Sequence, residues 1–269
     1  MTNQLFERRA LLKVGAALPF ATLLPHTASA QVVNMNDAIN KAGRQRMLSQ
    51  RMAKAWLAVG QGIEAKKADK ILSESMALFD RQLTELKAYA PSPDIKTTYS
   101  TLDSVWSDYK SALVGKAPDR ATAQQVLALE GRVLKLAHQV TVQLEQLSGR
   151  SVGKLVNMAG RQRMLSQRSA KCYLSKVWGV AAPDQLKELD VARKEFVDAL
   201  QTLKNAPETT PAIKGQLEMA QQQWIFFDNA LSRAGDTANA SLHSSEVFAS
   251  SENILQVMDL VTGLYSKLT

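Results

Sequence analysis

Ten residues of this chain occur twice. Residues 42–51, AGRQRMLSQR, return unchanged at residues 159–168, 117 positions further on. An identity of that length is far more than shared helical composition produces, so the chain reads as an internal duplication. The repeated segment itself has helical spacing. At about 100° per residue, Leu48, Met52, Ala55, Trp56 and Val59 fall on one side, as a core stripe would. Gly43, Arg46, Gln50 and Ala53 fall roughly opposite, and Arg44 and Arg51 share a flank. Gly43, Ser49 and Ala53 are small, so a second helix can approach this face closely, with Arg46 standing inside the groove.

The rest of each half supports the same plan. Asn36 or Asp37 is positioned to cap a helix over 38–62. Ile71, Leu72, Met76, Phe79, Leu83 and Leu86 mark a second helix over 66–90, ended by Pro91 and Pro93. Tyr99, Leu102, Trp106, Tyr109 and Leu113 mark a third over 94–114, closed by Gly115 and Pro118. A fourth runs from Arg120 to Leu147. The second half follows at slightly drifting offsets. Phe196, Leu200 and Leu203 match Phe79, Leu83 and Leu86 at 117; Trp224 matches Trp106 at 118; Val247, Ile254, Val261 and Tyr265 match Val126, Val133, Val140 and Leu144 at 121. The offset grows only where loops belong, and strand signals are missing. The expected fold is all-α: two tandem antiparallel four-helix bundles, with modules at 31–148 and 149–269. Trp56, Trp106, Trp224, Met47 and Met164 read as packing residues. The junction at 148–153 reads either as a turn at its two glycines or as one long continuous helix. The second is favoured because no proline lies between Asp119 and Ala182.

Residues 1–30 read as a signal peptide. Glu7-Arg8-Arg9-Ala10-Leu11-Leu12-Lys13 is a twin-arginine export pattern, followed by a short apolar run, and Thr27-Ala28-Ser29-Ala30 is a small-residue cleavage site. An uncleaved anchor is disfavoured by Pro19 and Pro25. The expected location is the periplasm. The formal charge is +8, of which the leader contributes two positive charges, and the mildly basic remainder suits an anionic ligand or surface. Nucleic acid is not expected, because no aromatic-interleaved basic stripe occurs. Cys172 is the single cysteine, which excludes an intramolecular disulfide, and it reads as a small buried residue. His138 and His243 stand apart from each other, so no metal site on familiar spacings and no cofactor is expected. No nucleophile–base pairing or Gly-rich phosphate loop points to an enzyme.

The residues around the repeat carry a resemblance. Ala38-Ile39-Asn40-Lys41-Ala42-Gly43, then Arg46-Met47 and Arg51, resemble the P-box of nitrate/nitrite sensor kinases of the NarX type. The longer wording AGRQRMLSQRMAK is closer to the amino-terminal sensor domain of PilJ-type chemotaxis transducers. Between Gly43 and Arg46 this chain has Arg44-Gln45, and after Met47 it has Leu48-Ser49-Gln50, where it departs from the nitrate sensors and agrees with the PilJ wording. The resemblance implies a four-helix bundle for each half. It also implies that helices of two P-boxes lie side by side, an arginine from each holding one nitrate. Those arginines correspond to Arg46 and Arg163.

On this basis the expected ligand-binding set is Arg46, Arg163, Gly43, Gly160, Gln50 and Gln167, with Arg44, Arg161, Arg51 and Arg168 as secondary candidates. The flank arginines Arg44, Arg51, Arg161 and Arg168 read first as solvated or paired with carboxylates on a neighbouring helix. The leading expectation is a periplasmic sensor or binding protein for a small oxyanion, nitrate or nitrite first, held by forked charge-assisted hydrogen bonds. A membrane sensor or a transport system is the implied partner. The other expectation is a ligand-free helical adapter that docks on a membrane receptor or on a second copy of the chain. Whether the two repeated helices pair within one chain or between chains of a homodimer is left open at this point.

Overall fold

The computed structural model describes residues 31–268, and among these every regular element is an α-helix. The elements are α1 (Met35–Gly60), α2 (Ala65–Tyr89), α3 (Pro93–Gly115), α4 (Arg120–Ser148), α5 (Ser151–Val177), α6 (Pro183–Asn205), α7 (Pro211–Ser232) and α8 (Ala240–Ser266). The twin-arginine pattern and its cleavage site lie outside the described residues. No helix among the described residues is long and apolar enough to cross a membrane.

The helix boundaries follow local chemistry. Ser92, Asp119 and Thr210 each accept the free amide of the residue three positions on, and Pro93 and Pro211 occupy first-turn positions where a missing N–H costs nothing. The start of α1 differs from expectation. Asn34, not Asn36 or Asp37, is the cap: its Oδ1 accepts the Asp37 amide at 2.9 Å, and the helix begins one turn earlier.

The junction between the halves is a turn, which corrects the favoured continuous helix. Gly149 has φ +62° and returns its amide to the Glu145 carbonyl at 3.3 Å, a left-handed helix stop that a glycine adopts without steric cost. Absence of proline was a poor guide, because this glycine ends α4 by itself.

In each half the four helices alternate up and down in a ring, α1 against α2 and α4 with α3 closing the far side, and α5 against α6 and α8 with α7 closing it. The duplicated aromatics superpose in kind. Phe79 meets Trp106 at 4.1 Å and Trp106 meets Tyr109 edge-on; Phe196 stacks on Trp224 at 4.0 Å and Trp224 meets Phe227 edge-on. These packed rings anchor the second and third helices of each half.

The two halves join through α1 and α5, which pack on each other more extensively than on any other helix. The helices run parallel: Ile39 faces Gly153 near one end, and Gly60, Trp56 and Gln61 face Trp178 and Leu174 near the other. Sandwiched between its own bundle and the other half, α1 is buried almost all round from Asn36 to Ala58, and α5 likewise. The polar face opposite the core stripe is therefore interior. The repeated helices pair within one chain.

Candidate functional site

Arg46 and Arg163 meet in that shared interface, and both are 0% exposed. Their contacts are reciprocal across the two halves. Arg46 Nη2 donates to the Asn157 carbonyl at 3.3 Å, and Arg163 Nη2 donates to the Asn40 carbonyl at 3.0 Å. Asn40 and Asn157 are themselves 117 positions apart, so the arrangement is a pseudo-twofold. Arg46 Nη2 also reaches Asn157 Oδ1 at 2.6 Å.

Gly43 and Gly160 make room for the guanidinium tips. A methyl group built on Gly43 would stand 3.1 Å from Arg46 Nη2 and 3.6 Å from Arg163 Nη2; on Gly160 the distances are 3.1 Å to Arg163 and 3.7 Å to Arg46. Both glycines therefore touch both arginines. The absent side chains leave space that the two charged groups fill, so the glycines serve the arginine pair itself.

The pseudo-symmetry fails at Asp259. Arg163 Nη1 donates to Asp259 Oδ1 at 2.5 Å, and Arg44 Nη2 donates to the same oxygen at 2.6 Å. The position equivalent to Asp259, at the offset of 121, is His138, whose Nδ1 lies 3.3 Å from Arg46 Nη1. Arg161, the counterpart of Arg44, turns to Glu195 instead, with Nη2 to Oε2 at 2.9 Å. Arg46 thus has no carboxylate within ion-pair distance among the described residues, whereas Arg163 has one. The nearest help is indirect, since Asn157 donates to Glu145.

The electrostatics follow the geometry. Burial, aided by Arg161 and Arg163 and opposed by Glu145 and Glu195, lowers the Arg46 pKa to about 9. Burial and then Arg44 lower that of Arg163 to about 10, with Asp259 opposing them. Both remain protonated at neutral pH, so each value measures how unwelcome the charge is. Burial pushes Asp259 up, but Arg163 and Arg44 overcome this and hold it below the usual carboxylate range. His138 is pushed down by burial, then by Arg46, Arg161 and Arg168.

Gln50 and Gln167 do not join the arginine pair. Gln50 Nε2 donates to Glu130, and Gln167 Nε2 donates to the Ser251 carbonyl at 2.9 Å. Their Oε1 atoms, buried without partners, are acceptors and repel an anion. They belong to a separate lysine layer further along α1 and α5. There Lys54 Nζ donates to Glu252 at 2.6 Å and to Ser251 at 2.9 Å, and Lys171 Nζ donates to Glu130 at 2.7 Å. Burial raises Glu252, yet Lys54 and Arg51 outweigh it and hold the group at about 2. Among the secondary candidates, Arg44, Arg51 and Arg161 have carboxylate partners on α8 and α6, and Arg168 has none among the described residues. Cys172 is buried, and its thiol is pushed up to about 11 by that burial. No group of His, Cys, Asp and Glu suited to a metal occurs among the described residues.

Sequence reasoning missed His138, Asp259, Asn40, Asn157, Lys54, Lys171, Glu130 and Glu252 as members of these layers. Asn40/Asn157 and Lys54/Lys171 were detectable, because they extend the repeat at the same offset of 117 on either side of the identical decapeptide.

An all-helical tandem module whose duplicated helices enclose a buried cationic pair is a helical sensory or interaction module. The chain belongs to the PilJ family, described as the type IV pili methyl-accepting chemotaxis transducer N-terminal region, with matches over residues 27–131 and 147–250. No curated protein and no solved structure matches the chain.

Proposed function

We propose that this chain is an exported periplasmic sensor that takes up a small oxyanion, nitrate or nitrite first, at the Arg46/Arg163 pair and reports occupancy to a membrane receptor. Residues 1–30 are its leader, and 31–148 and 149–269 are the two units that together build one site. The observation that carries this reading is a fully buried guanidinium, Arg46, facing another across α1 and α5 with no carboxylate of its own. An uncompensated buried charge costs several kcal/mol, on the order of 3–5 when a partner is removed, and a bound anion offsets it. Since each helix supplies one arginine, occupancy stiffens the contact between the halves, which a docked receptor can read.

The test is a thermal-shift and calorimetric titration with sodium nitrate, nitrite, sulfate and phosphate at constant ionic strength. Stabilisation that grows with one anion's concentration supports the reading. It should vanish in the Arg46→Ala/Arg163→Ala double variant, compared with that variant's own ligand-free baseline. A wild-type protein that responds to none of the anions refutes it.

A second reading, a ligand-free adapter, is favoured by the outer face of α6 and α7. Val197, Ile225 and Phe226 are exposed there, where the first half has Asp80, Ser107 and Asp108 at equivalent positions. Capture of a receptor sensor domain without any anion, lost in Ile225→Ser/Phe226→Ser, separates the two.

A further inference from the structure

The outward face of α7 is unlike that of its counterpart α3. The buried stripe of α7 is Ile213, Leu217, Ala220, Trp224, Phe227 and Leu231. At about 100° per residue, the point midway between Ile225 and Phe226 faces almost directly away from that stripe. These two side chains flank the outward line and are 62% and 68% exposed. No residue from 219 to 227 carries a charge, whereas the equivalent stretch of α3 carries Asp103 and Asp108. Ser107 and Asp108 stand where Ile225 and Phe226 do.

Around this apolar centre the residues are symmetric in position and complementary in kind. Gln222 and Asn229 lie equally far before and after the midpoint, and so do Glu218 and Arg233. All four are exposed. Glu218 has no ion-pair partner among the described residues, and Arg233 makes an exposed contact with Glu246 at 3.4 Å. The adjoining flank of α6 repeats the pattern. Arg193 Nε donates to Asp228 at 2.6 Å and Lys204 Nζ to Gln221 at 2.8 Å, which fixes α6 and α7 in register. Between these bonds Val197 and Ile225 line one groove of about 430 Å³. Asp190 and Lys204 stand seven residues before and after Val197.

We propose that this face is the contact of a homodimer, in which a second copy of the chain packs α7 antiparallel on α7. The twofold axis passes the midpoint of Ile225 and Phe226. Such an axis sets each residue against the one equally far beyond it. Glu218 of each copy then meets Arg233 of the other, Gln222 meets Asn229, and Asp190 meets Lys204, so opposite charges face each other at every end. Ile225 and Phe226 of both copies close on one another at the centre and leave water. The occupant follows from the order of the side chains: acid, amide, apolar pair, amide and base are complementary to the same series read backwards. The same axis placed on α3 sets Ser107 against Asp108 and Ser100 against Gly115, with neither an apolar centre nor a charge complement. Assembly through this mode therefore stops at two copies. Because α7 closes the side of its bundle far from α5, the dimer leaves the arginine pair as it is.

Sedimentation velocity on the full chain, over a concentration series, tests the assignment. Wild type should pass from monomer to dimer as concentration rises and form no larger species. Ile225→Ser/Phe226→Asp gives α7 the residues of α3 and should weaken the dimer at least about a hundredfold, with helical circular dichroism unchanged. Glu218→Arg and Arg233→Glu should each weaken it by roughly three- to tenfold, since each sets like charges together at both ends. Combined in one chain, the two reversals should restore the wild-type constant, which a merely adhesive apolar surface would not do. A wild type that stays monomeric overturns the proposal, even where this face captures a receptor domain instead. So does a dimer that Ile225→Ser/Phe226→Asp leaves intact. A combined reversal that stays weak overturns the antiparallel register.

Discussion

The lysine layer offers the sharpest test of how α1 and α5 tolerate buried charge. Lys171 Nζ lies 2.7 Å from Glu130 Oε2, with the two side chains 4% and 2% exposed. Burial alone would push the Lys171 ammonium down; Glu130 overcomes it and holds the group above the usual lysine value. The sign is that of a stabilising pair: a raised lysine contributes fully below its unfolded pKa and fades only as pH rises through the folded one, so the pair acts across neutral pH. Glu130→Gln keeps the shape and removes the charge. It strands an ammonium in the interior, a loss of about 3–5 kcal/mol. At about 2–4 °C per kcal/mol for a protein of this size, Tm should fall by roughly 6–20 °C. Lys171→Met strands the carboxylate instead and should cost a similar amount. Glu130→Leu with Lys171→Met removes both charges and should recover most of the loss. About 1 kcal/mol remains for the Gln50 hydrogen bond to Glu130 that disappears. Urea denaturation of wild type, both single variants and the double variant gives the coupling energy directly. A Glu130→Gln loss under about 1 kcal/mol, or a coupling near zero, refutes the claim that this buried pair is held by mutual neutralisation.

Gly60 packs against Trp178 and Pro118, where an added methyl would stand 2.8 Å from Trp178 Cζ2; Gly60→Ala should destabilise by about 1–3 kcal/mol in thermal melts while leaving the anion response intact. Asp259 has a lowered folded pKa, so its contribution is present above the unfolded value and lost as pH falls. Wild type should therefore exceed Asp259→Asn in Tm at neutral pH, and the gap should close in acid. His138 has a lowered folded pKa, so its protonation favours the unfolded chain. Between about pH 7.5 and about pH 5 wild type should lose more stability than His138→Gln, and nitrate should narrow the difference. Comparison with that variant is needed because His243, bonded to Asp236 and Glu246, is shifted upward and acts in the opposite sense.

Much of the fold was legible because helical periodicity and a repeated decapeptide are both local signals. Each stripe of apolar residues found its core, and the growing offset between the halves fell in loops. What was not legible depends on the partner of each face. A helical wheel places Arg46 opposite the core stripe, but only the packing of α5 against α1 turns that face into an interior. Gln50 looked like a ligand because it shares a face with Arg46, yet one turn along the helix its amide meets Glu130 on α4. His138 and Asp259 drew no attention as a pair because they differ in type and sit at the drifted offset of 121, on helices outside the identical segment. The turn at Gly149 is a left-handed glycine stop, which needs no proline and so leaves no proline signal in the sequence.

The drift between the halves separates structural charge from site charge. In the lysine layer, Glu130 of the first half corresponds to Ser251 at the offset of 121, and Glu252 of the second half corresponds to Gly131. The carboxylate has moved by one residue, and both lysines still have a direct partner. A packing requirement behaves in this way, because either location satisfies the buried ammonium. The arginine layer has drifted otherwise. On the other side of the pseudo-twofold the carboxylate is Glu195 on α6, which partners the partly exposed Arg161 and leaves the fully buried Arg46 with neutral groups. Two separate copies of one domain, related by a true twofold, could not do this, since any counterion gained on one side would appear on the other. Joining both copies in one chain allows one side to carry its own carboxylate and the other a neutral imidazole. The asymmetry at His138 is therefore what duplication makes available: one buried arginine with its own carboxylate and one with neutral partners.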